Sequence, residues 1–349
     1  MKKTAIIFIA LLIILTGLTA CGGGEKQAAE DNKDSIRVVT TIFPVYDWVR
    51  NIAGGNNTDV SVEMLIDSGV DLHSYQPSAE DMMKIAECDV FIYVGGESDE
   101  WVEDALSKTV KKDLVTVNLM EALGDRAKEE ELVEGMQADE HEHEDGEEAH
   151  EEGEESHEEG EGHEHGDEEG PEYDEHIWLS LRNAAFLSEV IEKALSQADE
   201  AGAETYQKNA SAYRESLEAL DSEYQKAVDE GSVKTLLFGD RFPFRYLTDD
   251  YRITYYAAFA GCSAETEASF ETIAFLAGKV DELGLKNIMT IEGTDHSIAE
   301  SIKENTKSKD QAILTLDSMQ ATTAEDVEAG ASYLSIMVAN LDVLRNALK

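Results

Sequence analysis

Residues 60–96 read VSVEMLIDSGVDLHSYQPSAEDMMKIAECDVFIYVGG. The apolar run Val60–Ile66 is strand-like, and Val90–Val94 is a second buried strand that stops at Gly95-Gly96. Between them, Ser78 precedes a helical pattern running through Glu87, with Asp81 in the acidic position of a capping box. Strand, helix, strand at this spacing is a parallel unit, because two parallel neighbours need a crossover connection. His73 lies on the loop after the first strand, where ligands of open α/β sheets bind.

The same alternation extends outward. Ile36–Phe43 and Leu114–Val117 read as strands, and Val45–Ala53 and Trp101–Val110 as helices, the first stopped by Gly54-Gly55. Further on, Leu181–Gln197 and Thr205–Val228 are long amphipathic helices, with Tyr213, Leu217, Leu220 and Tyr224 at helical spacing. Alternation then resumes with strands Thr235–Phe238, Ile253–Ala257, Asn287–Ile291 and Ala312–Leu316, closed by a long helix expected from Ala324 to Leu348. The fold class is α/β: two lobes with mainly parallel sheets, bridged by a long helical segment, with a ligand cleft between the lobes.

The expected organisation has six parts. Residues 1–20 are a lipoprotein signal peptide and 21–35 a flexible tether. Residues 36–125 are an N-terminal α/β lobe and 126–175 a disordered acidic loop. Residues 176–232 are helices that complete the first lobe and bridge to the second, which spans 233–349. The signal rests on Lys2 and Lys3, the apolar stretch Ala5–Leu15 and the sequence Leu18-Thr19-Ala20-Cys21, whose spacing matches a bacterial lipobox. Cys21 would carry the lipid and hold the chain at the outer face of the cytoplasmic membrane.

The stretch Glu129–Glu175 supplies 25 of the chain's 75 acidic residues, six of its nine histidines and no lysine or arginine. Like charges repel and apolar residues are scarce, so disorder is expected there. A solvated spacer has no need of His141, His143, His150, His157, His163 and His165, and imidazole beside carboxylate is a divalent-metal ligand set. The remaining 50 acidic residues still outnumber 28 lysines and arginines, which argues against nucleic acid and favours cations.

Beyond Cys21 only Cys88 and Cys262 remain, too few for a disulfide framework. Cys88 reads as a buried thiol. Cys262, in Ala260-Gly261-Cys262-Ser263, could bind a soft metal but has no CxxC partner. Outside the acidic stretch the histidines are His73, His176 and His296. No H-E-x-x-H helix and no G-x-S-x-G elbow is present, so a binding protein is expected and not an enzyme.

Several ordered motifs together resemble the cluster A-I metal-binding lipoproteins, the solute-binding components of bacterial zinc and manganese ABC importers. Gly69–Pro77 is similar to that family's G-x-D-P-H-x-Y-x-P segment, and Asp174–Leu179 to its D-P-H-x-W-L segment. Thr40–Tyr46, Trp101 and the His-rich insertion ahead of His176 also fit. The resemblance implies a receptor that captures Zn(II) between lobes, with the His-rich stretch as a weak collector. It implies permease and ATPase partners, a lipid-anchored extracytoplasmic location and a monomer. A Mn(II)-preferring receptor and a metal-dependent surface adhesin are the alternatives.

The implied metal ligands are His73, His176, Asp240 and His296. The first two follow from the motifs. The family's third ligand column falls on Arg241 or Gly239, depending on which Phe is counted from, and neither coordinates a cation. A one-residue shift gives Asp240. The fourth lies four residues after Glu292, at His296.

Overall fold

The computed structural model describes residues 35–55, 59–137, 172–263 and 267–349. The signal peptide, Cys21 and the six histidines from His141 to His165 lie outside the described residues. Ile36–Lys349 forms one compact unit.

The first lobe runs β1 (Ile36–Thr40), α1 (Phe43–Ala53), β2 (Val60–Met64), α2 (Ala79–Glu87), β3 (Val90–Tyr93), α3 (Trp101–Ser107), β4 (Val115–Asn118) and α4 (Leu119–Leu123). Two long helices follow, α5 (Leu181–Ala198) and α6 (Ala203–Glu230). The second lobe has β5 (Thr235–Phe242), α7 (Arg245–Tyr251), β6 (Thr254–Ala260), α8 (Phe270–Leu283), β7 (Asn287–Ile291), α9 (Ser297–Asn305), β8 (Ala312–Leu316), α10 (Ala324–Glu328) and α11 (Tyr333–Ala347). No helix among the described residues is long and apolar enough to cross a membrane.

Both sheets are parallel and share one plan. Their orders are β2-β1-β3-β4 and β6-β5-β7-β8. Each places its chain reversal between the first and third strands of the lobe, which leaves a crevice at the carboxyl ends of those strands. The capping box at Ser78 forms as expected: its hydroxyl accepts from the Asp81 N–H, and the Asp81 carboxylate accepts from the Ser78 N–H.

Burial is layered. On the outer face of the first sheet, Val39 and Phe91 cluster with Ile85 of α2 and Val102 of α3. On the outer face of the second, Leu237 and Ile288 cluster with Leu276 and Val280 of α8 and Ile302 of α9. The inner faces do not close separately. Val38 and Ile92 of one sheet and Leu236, Met289 and Leu316 of the other belong to a single cluster built around α1, α5, α6 and α11. Trp48 of α1 meets Tyr333 of α11 edge to face at 5.3 Å, and Tyr224 of α6 donates to the Met337 carbonyl at 2.6 Å. The helical bridge is thus a shared core.

Two expectations need correction. The closing helix is two helices, because Gly330 takes φ +103° and Ser332 starts α11 with its own capping box. The segment 126–175, expected to be disordered throughout, is ordered at both ends. Glu129 bridges Tyr173, the Gln137 N–H donates to the Ala258 carbonyl at 2.9 Å, and Val133 and Met136 pack on the core. Glu131 is held by Arg245 at 3.2 Å and by the Tyr255 hydroxyl at 3.0 Å. Apolar anchors and local cations outweigh the charge repulsion there.

Candidate metal centre

Gly69 lies in the loop after β2 with φ +76°, where a Cβ would fall 3.2 Å from the Ala321 carbonyl of the other lobe. The Ala324 N–H donates to the Asp67 carbonyl at 2.8 Å, so this loop is stitched across the seam. Asp71 then caps a single 3-10 turn, Leu72–Ser74, by accepting from the His73 N–H at 3.0 Å. Its other oxygen accepts from Arg241 Nη2 at 2.6 Å. That charge, with the His73 bond, holds Asp71 below the usual carboxylate range despite the opposing effect of its burial, which is the largest influence.

His176 enters from the segment before α5 and is fully buried. One Asp174 oxygen accepts its backbone N–H at 2.9 Å and lies 3.1 Å from its Nδ1. A carboxylate only accepts, so Nδ1 carries the proton and Nε2 presents a lone pair. His73 is arranged similarly: its Nδ1 lies 2.7 Å from Ser98 Oγ and 3.5 Å from Glu175 Oε2. The two Nε2 atoms stand 3.2 Å apart. Two ligands on a tetrahedral zinc at about 2.0–2.1 Å are separated by roughly 3.3–3.4 Å. The pair is therefore spaced as one edge of such a centre.

Burial, and then the neighbouring His176 ring, push His73 well below the usual imidazole value, which keeps its lone pair free of protons. Carboxylates surround the pair. Burial raises both Glu175 and Asp99, the latter to about 7. Glu175 Oε1 accepts the Ser98 N–H at 2.9 Å, while its buried Oε2 has no hydrogen-bond partner. Gly96 is required here, since a Cβ would fall 2.3 Å from Glu175 Oε1. Such a pocket favours a cation.

Of the four ligands expected from sequence, the structure brings His73 and His176 together and places Asp240 and His296 in a separate hydrogen-bonded group. Asp240 is turned into the second lobe. It accepts from Thr290 Oγ1 at 2.8 Å, Thr294 Oγ1 at 2.9 Å and the Arg241 N–H at 2.9 Å, which engages both its oxygens locally. His296 sits at the N-cap of α9 with φ +61°, its Nδ1 2.8 Å from the same Thr290 hydroxyl. Glu292, four residues earlier, binds the Ser318 N–H and hydroxyl and the Gln320 N–H. Among the described residues, the third group that converges on the histidine pair is Cys262. One ligand atom each from His73, His176 and Cys262 lies within 4.8 Å of the others. Cys88 and Cys262 are both free thiols, and Cys88 is buried, its thiol pushed up to about 12.

Two parallel-sheet lobes with a shared core, and paired imidazoles beside the strand ends, define a solute-binding protein of the metal-receptor class. A family model described as zinc-uptake complex component A, periplasmic, matches residues 38–347, and the chain belongs to this family. The zinc-binding lipoprotein AdcA of Streptococcus pneumoniae is 33% identical over 347 residues, which is 99% of this chain. The chain spans only 61% of the length of that relative. The high-affinity zinc uptake system protein ZnuA of Bacillus subtilis is 28% identical over 348 residues and is covered over 98% of its length. The crystal structure of the Zn(II)-bound ZnuA-like domain of S. pneumoniae AdcA has a TM-score of 0.66 at 27% identity, covering 90% of this chain and 99% of that one. Architecture, parallel topology and family thus agree with the sequence-based fold class.

Proposed function

We propose that the chain is an extracytoplasmic receptor that captures Zn(II) at His73 and His176 and delivers it to the permease and ATPase of a membrane ABC importer. The observation that carries this reading is the buried Nε2 pair at 3.2 Å, each ring with its Nδ1 beside an oxygen acceptor. Two lone pairs held that close repel unless a cation or proton lies between them. The names of the AdcA and ZnuA relatives support zinc as the cargo. The names of the zinc-binding relatives favour neither the Mn(II)-preferring nor the adhesin alternative, and imidazole suits zinc better than manganese. The reading assigns binding and no catalysis.

The six histidines of the acidic stretch act in this reading as a weak collector, since composition supplies ligands without fixed geometry. Replacing residues 139–170 by a short Gly/Ser linker spares the ordered residues on either side. Calorimetry should then show fewer weak Zn equivalents and one tight site. Absence of tight Zn binding in that variant would sink the reading and make the acidic stretch the receptor.

Lipidation at Cys21 belongs to the same proposal, motivated by the Leu18–Cys21 spacing and by the lipoprotein name of a relative. Cys21→Ala should move the protein from the membrane fraction to the soluble fraction, or stall its maturation. Unchanged membrane attachment on cell fractionation would refute it.

A further inference from the structure

We infer that Cys262 is the third protein ligand of the cargo metal, bound as a thiolate, so that the centre is a His2Cys set made for a thiophilic divalent cation. This rests on the reading of His73 and His176 as metal ligands, and it deepens that reading.

Three observations carry it. The first is convergence: Cys262 offers a ligand atom within 4.8 Å of one from each histidine. In a tetrahedral zinc site with Zn–S about 2.3 Å and Zn–N about 2.0–2.1 Å, the N–S edge is roughly 3.6 Å. The sulfur therefore needs to close by no more than about 1 Å on loading, and the two imidazole Nε2 atoms already stand 3.2 Å apart.

The second is construction. Gly261 lies against the His176 ring: a Cβ there would fall 3.0 Å from Cε1 and 2.9 Å from the Phe242 carbonyl. Glycine is what lets the chain bring Cys262 past that ring. The Cys262 N–H is fixed by Glu130 Oε1 at 3.2 Å. Arg241 ties the two metal-facing turns together, with Nη2 on Asp71 at 2.6 Å and Nη1 on the Ser263 carbonyl at 3.4 Å. It acts as a positioning residue, since a guanidinium is never a metal ligand.

The third is the behaviour of the surrounding acids. Asp240 is engaged by Thr290 and Thr294, and Asp174 by His176 Nδ1. Glu175 Oε2 is buried without a hydrogen-bond partner, 3.5 Å from His73 Nδ1. An unpartnered carboxylate oxygen behind a ligand ring gains its partner when a metal puts positive charge on that ring. The acids thus support the rings, and the thiol is left as the donor for the ion.

The chemical consequence is selectivity. A thiolate favours Zn(II) and softer ions over Mn(II), which prefers carboxylate and water oxygens. On binding, the S–H proton passes to solvent and the sulfur–metal bond forms, with no redox change.

The test uses the full chain and its Cys262→Ser variant, each loaded with one equivalent of Co(II) and, separately, Zn(II). Wild type should show an intense near-ultraviolet thiolate-to-cobalt charge-transfer band that Cys262→Ser lacks. Cys262→Ser should also lose at least about tenfold in Zn affinity. Cys262→Asp should narrow the Zn-to-Mn preference by about tenfold or more. Zinc-edge X-ray absorption of wild type should find one sulfur scatterer at about 2.3 Å, an outcome independent of how the variants fold. Tight Zn binding with only nitrogen and oxygen scatterers, and an unchanged Cys262→Ser spectrum, would overturn the Cys262 assignment and leave the histidine pair standing. Absence of tight binding in wild type would instead overturn the receptor reading itself.

Discussion

His176→Ala should lower Zn(II) affinity by at least about 100-fold, and His73→Ala by a similar factor, in competitive chelator titrations. Groups that only orient a metal-bound histidine typically contribute about 10–100-fold, so loss of the imidazole itself sits at or beyond the upper end. That corresponds to roughly 2.7 kcal/mol or more. The surroundings make the loss hard to repair. His176 is fully buried, and its Asp174 acceptor would face a gap with no donor from the ring. A water in that space would need to satisfy the carboxylate and ligate the metal at once. Asp240→Asn and His296→Ala serve as controls, and both should stay within about threefold of wild type, because neither side chain joins the group around the pair. Wild-type affinity in both histidine variants would remove the site. A large loss in Asp240→Asn alone would restore the ligand set expected from the sequence.

That contrast locates what the sequence carries. The strands Asn287–Ile291 and Ala312–Leu316 were readable to the residue, because apolar runs between polar loops have one physical solution. His73 and His176 each stand in a loop whose neighbours have their own roles, Asp71 and Asp174 as acceptors for the following turn. Asp240 and His296 stand in a different setting. Both meet the Thr290 hydroxyl in the second lobe, where Thr294 also donates to Asp240. Cys262 was legible only as a thiol that could bind a soft metal, because nothing in the sequence places it beside His73 and His176. The break at Gly330 was visible as a glycine, but helical periodicity on both sides concealed it.

Trp178→Ala should destabilise the protein by about 3–5 kcal/mol in denaturant unfolding, the cost of removing a large buried aromatic. The indole is 1% exposed, two residues after His176, and its Nε1 donates to the Ser318 carbonyl at 2.8 Å. Its own carbonyl accepts from the Tyr333 hydroxyl at 2.6 Å. One residue thus joins the metal-bearing segment to the end of β8 and to α11. Trp178→Phe keeps most of the apolar area and strands one carbonyl, for about 1–3 kcal/mol. Both variants should unfold in one transition, because the inner faces of the two sheets share a single cluster through α1, α5, α6 and α11. Two transitions, only one of them moved by Trp178→Ala, would mean two independent bodies. The distinction bears on release. With a continuous core, wide hinge opening would expose buried apolar area at about 25 cal/mol per Å². Small shifts of the turns bearing His73 and Cys262 cost far less, and in the His2Cys reading moving the Cys262 turn alone removes one of three protein ligands. In the proposed receptor reading, a tug on those turns would empty the site while the shared core stays folded.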